Sequence, residues 1–249
     1  MLSSVVWAAL GVGFIFLMTS LGAASVLFCR EDASIKSQTG MMGFAGGVMT
    51  AATVWSMLLP AIEQTRSAGT LPCWLPAAAG TAAGAAFLCA LDALILRLRR
   101  GGSAEKSSML MTAITLHNIP EGMAVGLAFA LSGGADGLTA AAALALGIGV
   151  QNVPEGAAVS LPLRRMGMSR GRAFSMGVLS GAVEPLFGML AVMAVSGISR
   201  IMPWLLGFSA GAMLYVVVCE LIPAADDRRG LFWYVAGFLL MMILDVALG

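Results

Sequence analysis

Six carboxylic acids stand in stretches of chain that are otherwise apolar, and they set the chemical problem. Glu121, Glu155, Glu184 and Glu220 lie well inside long hydrophobic runs, while Asp92 and Asp245 lie nearer the ends of theirs. None of the 14 lysines and arginines falls deep in such a run; the nearest, such as Arg97 and Arg164, fall at the ends. A carboxylate without a counter-ion is costly in a low-dielectric medium, and by default it marks function there. Protons, a bound cation, or an alternation of the two can neutralise these groups. A structural salt-bridge network, the ordinary explanation, fails for want of positive charge.

Two nearly identical hexapeptides carry the first two glutamates: His117-Asn118-Ile119-Pro120-Glu121-Gly122 and Gln151-Asn152-Val153-Pro154-Glu155-Gly156. Each puts a neutral donor four residues before a glutamate, so the two share one helical face, with an asparagine on its flank. Each proline removes one N–H and crowds the carbonyl four residues earlier, at Leu116 and Val150, which predicts a bend and a freed acceptor. The glycines allow close approach of a neighbouring helix, and Gly126 extends the small face begun at Gly122. His117 is the chain's one histidine. A lone histidine is more often packed in a core than bound to metal, but its i, i+4 pairing with Glu121, repeated as Gln151 with Glu155, is not that ordinary case. One imidazole among carboxylates and amide oxygens suits a borderline divalent ion, Zn²⁺ first, with Fe²⁺, Mn²⁺ or Cd²⁺ also accommodated. Glu184, beside Pro185, repeats the glutamate–proline device. Three glutamates bring three negative charges, so a two-ion site is electrostatically reasonable, and proton exchange would accompany loading and release.

The elements that must position these groups are membrane helices. The chain of 249 residues is 59% hydrophobic and 11% charged, with a mean hydropathy of +0.92; soluble domains carry about 25% charged residues. Eight stretches are long enough to cross a hydrocarbon core, which takes about 20 apolar residues: roughly 5–28, 40–62, 72–96, 109–131, 138–163, 173–195, 201–223 and 231–248. The first lacks a basic leader and reads as an ordinary span rather than a cleaved signal. Alternating the loops between two sides puts 12 of the 14 basic residues on one side and only Arg66 and Arg200 on the other. That asymmetry puts both termini outside the cytoplasm, in a multi-pass protein of the cell (inner) membrane. The expected fold is an all-α integral membrane protein forming one polytopic transporter domain over residues 1–249. The net charge of +1 and the absence of a dense basic patch give no reason to expect nucleic acid. The four cysteines form no CxxC pair and read as ordinary thiols. Small-residue faces such as Gly80-x-x-x-Gly84 allow a homodimer without demanding one.

The paired motifs resemble those of the ZIP family of metal transporters, in particular its GufA-type branch. Val183-Glu184-Pro185 supports the match, as do Gly46-Gly47-Val48-Met49 leading to Leu58-Leu59-Pro60, and Gly211-Ala212-Met213-Leu214-Tyr215 leading to Glu220-Leu221-Ile222-Pro223. The resemblance implies a ZIP-type fold, no cofactor, and a binuclear site for the transported metal on helices four, five and six. By position, His117, Glu121, Gln151 and Glu155 would form one subsite, with Met49 offering it a thioether. Asn118, Asn152 and Glu184 would form the other, with the motif glutamates bridging. Glu220 and Asp245 would line the route to the cytoplasm, and Asp92 is a further pathway candidate. Alternating access by one helix bundle sliding against another is also implied. Many relatives carry histidine or aspartate at the positions of Gln151 and Asn152, which here implies weaker binding and broader selectivity. Many also have a His-rich loop where this chain has Arg97 to Ser108, without histidine.

Two other readings use residues of the same helices. A passive metal or proton channel would need the same ligands. An intramembrane hydrolase could be read from Gly207-Phe208-Ser209-Ala210-Gly211, but that pattern needs a strand–turn–helix and a histidine base, and the one histidine belongs to the first motif. No enzyme activity is therefore expected.

Overall fold

The computed structural model describes residues 2–28, 35–98 and 103–248, with backbone alone at 2–3, 35–38, 95–96, 98, 103–114, 117, 196 and 248. Its elements in chain order are α1 (Leu2–Phe28), α2 (Ile35–Ala52), a π-helical segment (Thr53–Leu58), α3 (Leu59–Ala68), α4 (Leu75–Leu98), α5 (Ser103–Leu131), α6 (Gly134–Arg165), α7 (Arg170–Gly181), α8 (Val183–Met193), α9 (Val195–Val216), a second π-helical segment (Val217–Leu221), α10 (Ile222–Ala224) and α11 (Arg228–Leu248). No strand occurs among the described residues.

Seven stretches are long and apolar enough to cross a bilayer: Ser4–Phe28, Thr39–Ala68, Leu75–Leu94, Gly134–Arg165, Arg170–Met193, Gly197–Ala224 and Arg228–Ala247. The fourth expected span falls on α5, whose apolar part within the described residues, Asn118–Leu131, is shorter. The sixth expected span is two helices, α7 and α8, meeting at Ala182, two residues before Glu184.

α5 and α6 run as continuous helices through the motif prolines, Pro120 and Pro154. The helix widens instead ahead of two other prolines. Leu59 N–H bonds back five residues to Val54 O just before Pro60, and Ile222 N–H bonds to Val217 O just before Pro223. A proline ring crowds the carbonyl four residues earlier. One extra residue in the turn relieves that crowding and leaves a π segment, a form that recurs at functional sites.

Tight packing falls on four helix pairs, α1 with α6, α2 with α11, α4 with α9 and α5 with α8. Within each pair the glycine registers advance together, so the partners run parallel. Gly149 meets Phe14 and Gly156 lies on the Thr19 carbonyl; Gly43 faces Gly230 and Gly47 faces Tyr234. Gly80 meets Trp204 and Gly84 meets Phe208, while Gly126 meets Gly188. Bare backbones approach closely there because no Cβ intervenes, which is how helices associate where apolar burial gives little drive. The Gly80-x-x-x-Gly84 face expected to permit a dimer is therefore occupied within the chain by α9. Gly207 and Gly211 belong to the same seam and enclose the fully buried Ser209 inside a continuous helical turn. A nucleophile elbow is excluded by that geometry.

Candidate metal centre

The centre is built where α1, α5, α6 and α8 meet. Gly122, the last residue of the first motif, sits on the backbone of Glu184, so the α5–α8 seam presses the third glutamate against the motif. Gly156, the last residue of the second motif, sits on Thr19, and Thr19 Oγ1 donates to Glu184 Oε1 at 2.7 Å. The two glycines thus bring three helices onto one carboxylate.

The motif side chains interlock around that point. Gln151 Nε2 donates to Glu121 Oε1 at 2.8 Å, joining α6 to α5. Asn118 Nδ2 donates to Glu184 Oε1 at 3.1 Å and to the Ser180 carbonyl at 3.4 Å. Asn118 also lies beside Glu155, and Asn152 beside Glu184. Asn152 Nδ2 further donates to the Ile15 carbonyl at 3.5 Å. Asn118, Asn152, Glu155 and Glu184 are 0% exposed, and Glu121 and Gln151 are 1% exposed. Among the described residues the amide oxygens of Asn118, Gln151 and Asn152, and Glu184 Oε2, accept no hydrogen bond. Each such orphan costs about 1–3 kcal/mol when buried.

Six of the eight expected ligands are thereby brought together. The exceptions are His117, whose side chain lies outside the described residues although its backbone continues α5 one turn before Glu121, and Met49. Met49 is 1% exposed and packs in the core with Ala158 and Met213. No three His, Cys, Asp or Glu side chains cluster with metal-holding geometry among the described residues. Amides separate the carboxylates, in keeping with the amide-rich donor set the sequence carries. Thr19 and the Ser180 carbonyl were missed by sequence reading, because one hydroxyl in an apolar first span carries no spacing signal.

The pathway candidates separate. Tyr215 OH donates to Asp92 Oδ2 at 3.0 Å, tying α9 to α4. Glu220 lies half-buried in the second π segment, just before the loop to Arg228. Asp245 lies at the far end of α11 from Arg228, accepting from Ser56 Oγ at 2.9 Å and facing Gly147. Gly147 precedes Glu155 by eight residues of α6, about 12 Å of helix. Glu220 and Asp245 therefore lie toward opposite ends of the bundle, Glu220 beside the loop to Arg228 and Asp245 at the far end of α11 from it.

Fold and site together define a polytopic helical membrane protein with a buried carboxylate–amide centre. A family model described as ZIP zinc transporter matches residues 100–245. The chain is 34% identical to zinc transporter ZIP11 of Homo sapiens, over 99% of this chain and 98% of that protein. It is 38% identical to zinc transporter GufA of Myxococcus xanthus, over 93% and 94%. Against zinc transporter ZIPB of Bordetella bronchiseptica the figures are 37%, 98% and 82%. The chain belongs to the ZIP family, a family of transporters and not of enzymes.

Proposed function

We propose that this protein carries a divalent transition metal, zinc first among them, into the cytoplasm through the centre on α5, α6 and α8. The observation that carries the reading is the set of three buried amide oxygens and one glutamate oxygen that accept nothing among the described residues. A cation satisfies such acceptors, while lysine and arginine are absent from the depth of the spans. The contacts already sort the groups into Glu121 with Gln151 and Glu155 with Asn118, Asn152 and Glu184. That division favours two metal subsites, with His117 completing the first. A half-turn of each amide exchanges its nitrogen for its oxygen, so the amides that now donate to carboxylates would coordinate an arriving ion. Protons taking the metal's place on its departure would keep the carboxylates neutral.

Parallel pairing supports eight spans, because α4 and α9 run the same way only if α5 crosses between α4 and α6. With the basic loops inside, both termini lie outside, in the cell membrane. Complete burial of the centre favours a carrier with alternating access over an open channel. Spans α1, α5, α6 and α7–α8 pack among themselves, as do α2 with α11 and α4 with α9, which fits one group moving against the other. The test is uptake of Zn²⁺, Cd²⁺, Fe²⁺ and Mn²⁺ into proteoliposomes. Glu121→Ala and Glu155→Ala abolish saturable uptake and Ser209→Ala retains it; full uptake by both glutamate variants would sink the site. Flux near diffusive rates would favour the channel.

A further inference from the structure

A cleft of about 830 Å³ runs between the pair α1–α6 and the pair α2–α11, away from the metal centre. Its walls are apolar over most of their length, formed by residues such as Leu21, Phe44, Val153 and Leu244. Two polar groups interrupt them, Arg229 and Ser25. Both fall at the same end, because the parallel pairs place the Ser25–Ala157 end of α1 and α6 beside the Gly40–Arg229 end of α2 and α11. Arg229 makes no hydrogen bond or ion pair among the described residues. Its neighbour Asp227 is engaged elsewhere, accepting from the Gly230 N–H at 2.6 Å at the start of α11. Ser25 Oγ is buried and lacks a partner among the described residues. Trp233, one turn from Arg229 on the same face, packs over Gly40 at the same mouth.

A long apolar cleft with a guanidinium, a hydroxyl and an indole gathered at one end has the polarity of an amphiphile. From Arg229 to Leu244 it extends about 22 Å along α11, more than one leaflet of a hydrocarbon core about 30 Å thick. We propose that the cleft is a binding site for an anionic phospholipid, one acyl chain lying between the helix pairs and the phosphate meeting Arg229. The basic end faces the leaflet in which acidic lipids attract arginine. The chain would lie against Val153 and Pro154, on the face of α6 opposite to the motif's Asn152 and Glu155. A lipid there joins the helix pair that carries the centre to the pair that does not. The inference rests on the membrane reading of the fold and not on the metal centre.

The test is native mass spectrometry of the full chain in detergent with equimolar phosphatidylglycerol and phosphatidylcholine of identical acyl chains. The wild type should retain phosphatidylglycerol preferentially, and Arg229→Gln should reduce that preference about fivefold, the effect of one arginine at a charged lipid surface. Arg170→Gln, which does not line the cleft, should leave it unchanged. Leu21→Trp fills the cleft from an exposed position and should remove bound lipid of both kinds. Glycerol 3-phosphate, which has no chain, should not compete. Equal retention of the two lipids by the wild type, or an unaltered preference in Arg229→Gln, overturns the proposal. So does a lipid-free dimer whose interface is broken by Leu21→Trp, since that outcome assigns the cleft to a second copy. Zinc binding measured on the same samples keeps failure here distinct from failure of the transport reading.

Discussion

At the scale of single residues, the glutamates were legible because apolar sequence cannot hide an ionisable group, and the motif spacing placed their amide companions. Thr19 was not legible: its hydroxyl reaches Glu184 from a different helix at 2.7 Å, a contact set by packing rather than by spacing. Groups that orient metal ligands typically matter 10–100-fold. Thr19→Val should therefore raise the KM for Zn²⁺ uptake about tenfold, with Thr19→Ser restoring it; an unchanged KM would reduce Thr19 to packing. Gln151 marks the other boundary of inference. Its amide donates to Glu121 at 2.8 Å, and an imidazole there would offer a lone pair to metal instead. Gln151→His should bind Zn²⁺ more tightly and transport Mn²⁺ less well, measured by competitive uptake.

At the scale of elements, hydropathy located the spans but not their irregularities. Pro120 and Pro154 gave the same local signal as Pro60 and Pro223, yet the widened turns precede only the latter pair. What a proline does to a helix depends on whether neighbouring backbones hold that turn: the seam glycines Gly122 and Gly156 stand two residues after the motif prolines, whereas Gly47 and Gly211 stand 13 and 12 residues before Pro60 and Pro223. The seams give two contrasting predictions. A side chain at Gly84 meets the Phe208 backbone, so Gly84→Leu should cost about 1–3 kcal/mol by overpacking, visible as a lower melting temperature. A methyl at Gly122 meets the Glu184 backbone, so Gly122→Ala should impair zinc binding more than it impairs melting. Gly13 faces open space, and Gly13→Ala should leave uptake unaltered. Equal effects at all three positions would undo the seam argument.

At the scale of the whole molecule, charge asymmetry predicts which end faces the cytoplasm, and the loop holding Cys73 falls on the opposite side. A chain retaining Cys73 as its one cysteine should react with an impermeant thiol reagent added outside intact cells; labelling only after lysis would invert the topology. The pairing of helices was not legible, because every seam joins spans distant in sequence. That feature has a consequence for how the protein is made. The parallel partners are never consecutive spans, so no seam can close while its first helix is the newest one in the membrane. The α1–α6 seam can close once residue 165 has been synthesised, the α5–α8 seam after 193, and α4–α9 after 216. The α2–α11 seam waits until residue 248. During synthesis the glycine face of α2 is thus unmatched longer than any other, and a nascent chain arrested before α11 would present that face to chaperones and quality-control proteases.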